Sequence, residues 1–172
     1  ITTSKEIQTD AATLRNTAVY LQGDIDINED LALLLGARHY RVSSEHQASN
    51  HNATLRDNDD SHTIGSAAVI YSLSDNSVIR ATWSEGYIYP SLLNLVVGAF
   101  AGSSFINPVA TLAPETSDTF EIGYRTGTDS YSVDAALFLT QAENYIDHVP
   151  CAAIDNCPGA RDQIYKNIGE AN

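Results

Sequence analysis

The sequence predicts an all-β fold: six to seven antiparallel up-and-down strands forming part of a large transmembrane β-barrel, with short turns at one end and long loops at the other. Three observations predict it. Apolar residues recur with period two rather than 3.6, the mark of strands with one apolar and one polar face. The connections between strands alternate between short and long. The densest apolar stretches, 31–37 and 95–102, fall far short of a membrane-spanning helix, which needs about 20 residues, whereas a barrel strand needs about 9–11 alternating ones.

The elements follow in order. In strand 16–27, Val19, Leu21 and Ile25 alternate with Gln22 and Asp24, and Asn28-Glu29-Asp30 supplies a turn to strand 31–43, where Leu33, Leu35 and Ala37 alternate with Gly36 and Arg38. A long connection, 44–62, leads to strand 63–73, with Ala67, Val69, Tyr71 and Leu73 set against Ser66 and Ser72. Ser74-Asp75-Asn76 turns into strand 77–87, in which Ile79, Ala81 and Trp83 alternate with Arg80, Thr82 and Ser84. The second long connection, 88–116, precedes strand 117–126, where Phe120, Ile122 and Tyr124 face away from Glu121, Gly123 and Arg125. Gly127-Thr128-Asp129 turns into strand 131–145, whose register stays open because both Leu137/Leu139 and Ala136/Phe138 are apolar. After the third long connection, 146–163, a further strand starts at 164. Three structureless loops of this length are unusual in a compact soluble domain. Membrane barrels have them routinely, with short periplasmic turns and longer extracellular loops.

The faces are compatible with this reading, although periodicity alone does not separate a lipid-facing barrel from a soluble sandwich, whose sheets alternate almost identically. Arg38, Arg80, Glu121 and Arg125 stand mid-strand on polar faces and are structural residues expected to face the lumen. Tyr20, Tyr40, Tyr71, Tyr87, Tyr124, Tyr131 and Tyr145 fall mostly near strand ends, a distribution compatible with interfacial girdles.

Composition excludes other classes. The 172 residues carry nine Lys plus Arg against 22 Asp plus Glu, a formal charge of -13. Because the cations do not cluster into a phosphate-binding stripe, no nucleic-acid partner is expected. The chain has no Met, even at position 1, and both ends are expected to lie inside a longer polypeptide. There is no Gly-x-Ser-x-Gly elbow and no phosphate loop, so no catalytic residue is proposed.

Two segments carry more than pattern. Trp83-Ser84-Glu85-Gly86-Tyr87-Ile88-Tyr89-Pro90-Ser91-Leu92-Leu93 is similar to a G-F-R-A-P-S-L box. Asn107-Pro108, followed by Leu112-Ala113-Pro114-Glu115-Thr116-Ser117-Asp118-Thr119-Phe120-Glu121-Ile122-Gly123-Tyr124-Arg125, is similar to N-P-x-L-x-P-E-x-S-x-x-x-E-x-G-x-R. With Leu35-Gly36-Ala37-Arg38-His39-Tyr40, similar to a G-x-R-Y strand, and Tyr165-Lys166-Asn167-Ile168-Gly169-Glu170-Ala171, similar to a Y-x-N-x-x-x-A strand opening, the chain resembles the C-terminal half of TonB-dependent outer-membrane receptors of the siderophore and haem type. The resemblance covers about residues 16–172.

That resemblance implies a barrel of about 22 strands, of which residues 1–172 are a part, closed by an N-terminal plug that this sequence does not contain. It implies the outer membrane of a Gram-negative bacterium, contact with membrane lipid, and a TonB complex acting through an N-terminal region outside the sequence. It implies active uptake of a scarce nutrient, with a ferric siderophore or another iron chelate as the leading small-molecule ligand and haem second. Carbohydrate and cobalamin remain as substrate classes, and the rival from another class is a soluble all-β ligand-binding or adhesion domain.

The sequence departs from its relatives where substrate is expected to bind. The box reads Tyr87-Ile88-Tyr89-Pro90, Val109-Ala110-Thr111 lengthens the spacing to Leu112, and no His lies between Pro90 and Asn107, which weakens a haem reading. From Ile88 to Pro114 there is no charge. An apolar extracellular loop of this kind either holds an organic chelate or packs on its neighbours; the candidate ligand-binding residues are Tyr87, Tyr89, Asn94, Phe100 and Phe105.

No cofactor and no metal site is expected. Of the five histidines, His39, His46, His51, His62 and His148, three (His46, His51 and His62) lie in or beside connection 44–62 with Asp57, Asp59 and Asp60, but without the spacing or thiolates of a closed zinc site. Asp24-Ile25-Asp26-Ile27-Asn28 begins like an EF-hand and then places Glu29 where Gly is needed and Leu35 where Glu is needed. Cys151 and Cys157, separated by five residues and flanked by Pro150 and Pro158, are expected to form a disulfide in a loop facing an oxidising compartment.

Overall fold

In the computed structural model the described residues are 10–49, 57–155, 157, 159 and 161–171. They form two sheets. The larger is a wall of seven strands in the order β1 (Asp10–Asp26), β2 (Leu31–Ser49), β3 (Asn58–Ser74), β4 (Ser77–Ile88), β7 (Glu115–Thr128), β8 (Tyr131–Glu143) and β11 (Glu170–Ala171), every neighbour antiparallel. Its hairpins at the short end are closed by small polar side chains. Asn28 Oδ1 accepts from the N–H groups of Asp30 and Leu31 at 2.9 and 3.0 Å, Ser74 Oγ from Asn76 at 3.4 Å, and Thr128 Oγ1 from Ser130 at 3.3 Å.

The cross-strand register gives the wall one apolar face. Leu35, Ala67, Trp83, Phe120 and Leu139 form one rung of it; Leu33, Val69, Ala81, Ile122 and Leu137 form the next. Val19, Leu21 and Ile25 extend it onto β1. Leu21 and Leu137 are 77% and 76% exposed, which a sheet in water does not tolerate over such an area. The apolar positions of β8 run from Tyr131 to Leu139. At about 3.4 Å per residue and a tilt near 40° that stretch rises about 20 Å, close to the roughly 25 Å apolar band of outer-membrane barrels. The open register of β8 is thereby fixed: Leu137 and Leu139 lie on the apolar face, Ala136 and Phe138 on the other. Tyr71, Tyr124 and Tyr131 sit on the apolar face at its short-turn end, whereas Tyr20 and Tyr40 lie on the opposite face.

That opposite face carries Arg38, Arg80, Glu121 and Arg125. Arg80 lies across Gly123, where a Cβ would stand 2.7 Å from the guanidinium carbon. From there it donates to Glu121 at 3.2 Å and to Asp134 at 3.2 Å, and Arg125 donates to Asp134 at 2.8 Å. Glycine at 123 is therefore the condition for an ion-pair chain that crosses three strands.

The long end differs from a set of structureless loops. Strands β2 and β3 continue through most of connection 44–62, pairing Tyr40 with His62, Val42 with Asp60 and Ser44 with Asn58. Both faces are polar there, so the hydropathy alternation that marks the membrane band fades while the ladder goes on. The other two connections contain β5 (Ala99–Ala101), β6 (Ser104–Asn107), β9 (Ile146–Pro150) and β10 (Gln163–Asn167), which make a second sheet in the order β5-β6-β10-β9. The segment starting near 164 is thus β10 of this small sheet, and pairing with the wall resumes at β11. No helix among the described residues is long and apolar enough to cross a membrane, which says nothing of strands.

Candidate functional site

The buried residues gather at the long-loop end of the wall. Connection 89–114 turns inward at buried Pro90 and folds into one π-helical turn, Leu93–Val97. Leu95 and Val96 are 1% exposed, and with Leu112 they pack against Ala12 of β1, Tyr89, Val109, Ile146 and Tyr165. Ala12 shares its face with Leu14, Val42 and Ser44, so the apolar loop lies on the side of the wall that carries the ion pairs. Gly98, with φ +72°, lets the chain reverse after this turn, and a Cβ there would meet the Ile106 carbonyl oxygen at 2.5 Å. The β5–β6 hairpin follows.

Side-chain amides tie the two long connections together. Asn167 Oδ1 accepts from Ala113 N–H at 2.9 Å, and its Nδ2 donates to the carbonyls of Ala113 at 2.9 Å and Asn144 at 2.7 Å. Asn107 Nδ2 donates to the Gln163 carbonyl at 2.9 Å, and Glu115 Oε1 accepts from Ile146 N–H at 2.6 Å. These bonds flank the parallel pairing of β6 with β10. Cys151 and Cys157 are disulfide-bonded. Within that ring Asp155 accepts from Ala152 N–H at 2.8 Å and from Lys166 Nζ at 3.0 Å. The Lys166 ammonium first, and the Ala152 amide next, hold the Asp155 carboxyl below the ordinary aspartate range.

The residues singled out in the sequence occupy three places. Beyond Ser66 and Ser84 the ladder between β3 and β4 gives way to side-chain contacts. There Glu85 Oε2 accepts from Gly65 N–H at 2.6 Å, and Tyr87 stacks on His62 with ring centroids 4.7 Å apart and planes at 8°. Tyr87 also approaches Tyr40, at 5.3 Å, and its hydroxyl donates to Asp60 Oδ2 at 2.6 Å. Tyr89 packs under the apolar loop, where burial is the main cause that pushes its phenol up. It also lines a cleft of about 250 Å³ with Asn58, Asp60, Thr111 and Pro114. Asn94 uses its polar groups inside the turn, accepting from Ser91 N–H at 3.0 Å and from the Ser91 hydroxyl while its carbonyl accepts from Val109 N–H at 2.8 Å. Phe100 and Phe105 pair across the β5–β6 hairpin at 5.0 Å, and Phe100 is 72% exposed.

Sequence reasoning missed Asp134, the shared acceptor of Arg80 and Arg125, and the grouping of Tyr40, Asp60 and His62 around Tyr87. Neither had a local signal, since both depend on which residues the register places opposite one another. Among the described residues no group of three or more His, Cys, Asp or Glu is placed to hold a metal ion.

A family model described as TonB dependent receptor-like, beta-barrel, matches residues 2–172. Among solved structures, the chain superposes on the hemophore receptor HasR of Serratia marcescens, in complex with its hemophore HasA and heme, with a TM-score of 0.74 and 17% identity, covering 91% of this chain and 30% of that one. For the copper transporter OprC the TM-score is 0.73 at 15% identity, over 91% and 24% of the two chains. For the ferric-catecholate import receptor Fiu of E. coli K12 it is 0.66 at 17%, over 92% and 24%. At these identities the likeness is one of fold. The chain spans about a quarter to three-tenths of the length of these structures.

Proposed function

Because the chain belongs to the TonB-dependent receptor-like β-barrel family, we propose that it is part of the barrel wall of an outer-membrane transporter, and not of an enzyme, that takes up a ferric siderophore or another iron complex. The observation that carries this reading is the placement of connection 89–114, folded onto the polar face of the wall rather than outward. On this reading the apolar face meets lipid, the polar face with Arg38, Arg80, Glu121 and Arg125 lines the lumen, and the folded loop covers the extracellular mouth. A soluble binding domain would have to leave Val19, Leu21 and Leu137 in water.

Within that mouth Tyr87, Tyr89, Phe100 and Phe105 offer aromatic surface to an organic chelate, while Asn94 serves the loop itself. The TonB complex would act through a plug outside this sequence. Haem is the second reading, favoured by one residue: His148 on β9 is about half exposed, beside the edge of the Tyr165 ring. A strain lacking the whole gene, grown on ferric siderophores, haem or free iron salts as sole iron source, is expected to fail on a ferric chelate and grow on the salts. Failure on haem alone would favour the second reading, and unimpaired growth on every source would reject iron uptake.

A further inference from the structure

We propose that Tyr40, Asp60, His62 and Tyr87 form a coordination site for ferric ion at the mouth of the barrel. The four come from three strands. Tyr40 on β2 is the cross-strand partner of His62 on β3, and Asp60 follows two residues away on the same face of β3. Tyr87 arrives from β4 where the β3–β4 ladder has ended, stacked on His62 and tilted against Tyr40, with its hydroxyl 2.6 Å from Asp60 Oδ2.

Two phenols, a carboxylate and an imidazole are a donor set suited to a hard trivalent cation, with oxygen dominating and one nitrogen. Tyr87 and Asp60 satisfy each other, and the other two members do not. Neither the His62 ring nitrogens nor the Tyr40 hydroxyl makes a hydrogen bond to another described residue, although both side chains are half-buried. The Arg38 guanidinium lies 4.7 Å over the Tyr40 ring.

Binding replaces two protons by the metal. The Oη–H bonds of Tyr40 and Tyr87 break, two Oη–Fe bonds form, and the protons pass to water or to chelator oxygens that leave the iron; the iron stays ferric and nothing is oxidised or reduced. Asp60, freed of its hydrogen bond, becomes the adjacent carboxylate ligand. The site would let the receptor hold iron while its chelator is exchanged.

This inference rests on the reading of the loop end as the cargo-facing mouth, and its test is separate from growth. Purified full-length receptor in detergent is titrated with ferric nitrilotriacetate and followed by visible absorption. A phenolate-to-iron charge-transfer band is expected to appear and saturate. It should fall with Tyr40→Phe, vanish in the double Tyr40→Phe, Tyr87→Phe variant, and require at least about tenfold more iron in Asp60→Asn. Tyr20→Phe, on the same face but outside the cluster, should leave it unchanged. Heat-modifiable migration reports whether each variant is folded, and His62→Gln replaces any variant that is not. Absence of the band, or its persistence in the double variant, overturns the site. Failure of the deletion strain on a ferric chelate, with no band in the purified receptor, rejects this site alone, whereas a band without any growth defect rejects iron uptake alone.

Discussion

Leu137 and Phe138 are consecutive, both apolar and about equally exposed, at 76% and 74%, yet they stand on opposite faces of β8. Arginine at 137 would put a charge into the lipid band, at a cost of about 2–4 kcal/mol near its midplane; arginine at 138 would sit beside Glu121 on the polar face and cost under about 1 kcal/mol. Urea unfolding of the full-length protein in lipid vesicles checks the contrast, and equal destabilisation would contradict the register. Asp155 gives a pH-dependent expectation. Its folded pKa is depressed, so its bond to the Ala152 amide and its pairing with Lys166 contribute fully above the unfolded carboxylate value of about 3.9 and fade as pH falls through the lower folded value. At neutral pH, Asp155→Asn should speed amide exchange at Ala152, and the difference from wild type should close in strong acid. At this scale the sequence was legible where one residue's neighbours sufficed: Arg80, Glu121 and Arg125 could be assigned to a polar face by alternation alone. Asp134 could not, because both phases of its strand carry apolar residues and only pairing with β7 separates them.

The strands of the apolar band were legible because lipid on one side and polar surroundings on the other impose an alternation that survives in the sequence. Residues 58–62 of β3 and the outer part of β2 lie beyond that boundary, where alternation has no solvent contrast to report. The four short strands of the small sheet were illegible for another reason: with three to five residues each they are too short to show alternation, and the pairing of β6 with β10 that joins the two hairpins lies between different connections. Apolar packing holds that arrangement to the wall. Leu95→Ala should weaken loop docking by about 2–5 kcal/mol, since the side chain is fully buried among Val96, Leu112 and their neighbours. Limited proteolysis of intact cells or purified receptor should then cut within 89–114 much faster while leaving the wall intact. An unchanged cleavage rate would mean that the loop is held by its hydrogen bonds rather than by its core.

The wall as a whole is an open sheet of seven strands, and the described parts of β1 and β11 each have a neighbour on one side only. Edges of that kind template association. Residues 1–172 produced alone should therefore aggregate or stay unfolded in detergent, whereas the full-length receptor should show heat-modifiable migration; a monomeric, cooperatively unfolding 172-residue fragment in plain buffer would refute the barrel assignment. The charge of -13 fits the same architecture, because the rungs of the apolar face from Leu33 and Leu35 to Leu137 and Leu139 carry no charge, and on that face Glu85 and Asp118 stand only beyond Trp83 and Phe120, toward the long-loop end. The pairing of β6 with β10 has a consequence for how such a receptor can diverge. Two connections that share a parallel ladder and the amide bonds of Asn167 cannot lengthen independently within the paired segments. Insertions are accommodated more readily at the β5–β6 tip and inside the disulfide ring, so length variation among relatives should pile up in those two patches while the joint between them stays constant in length.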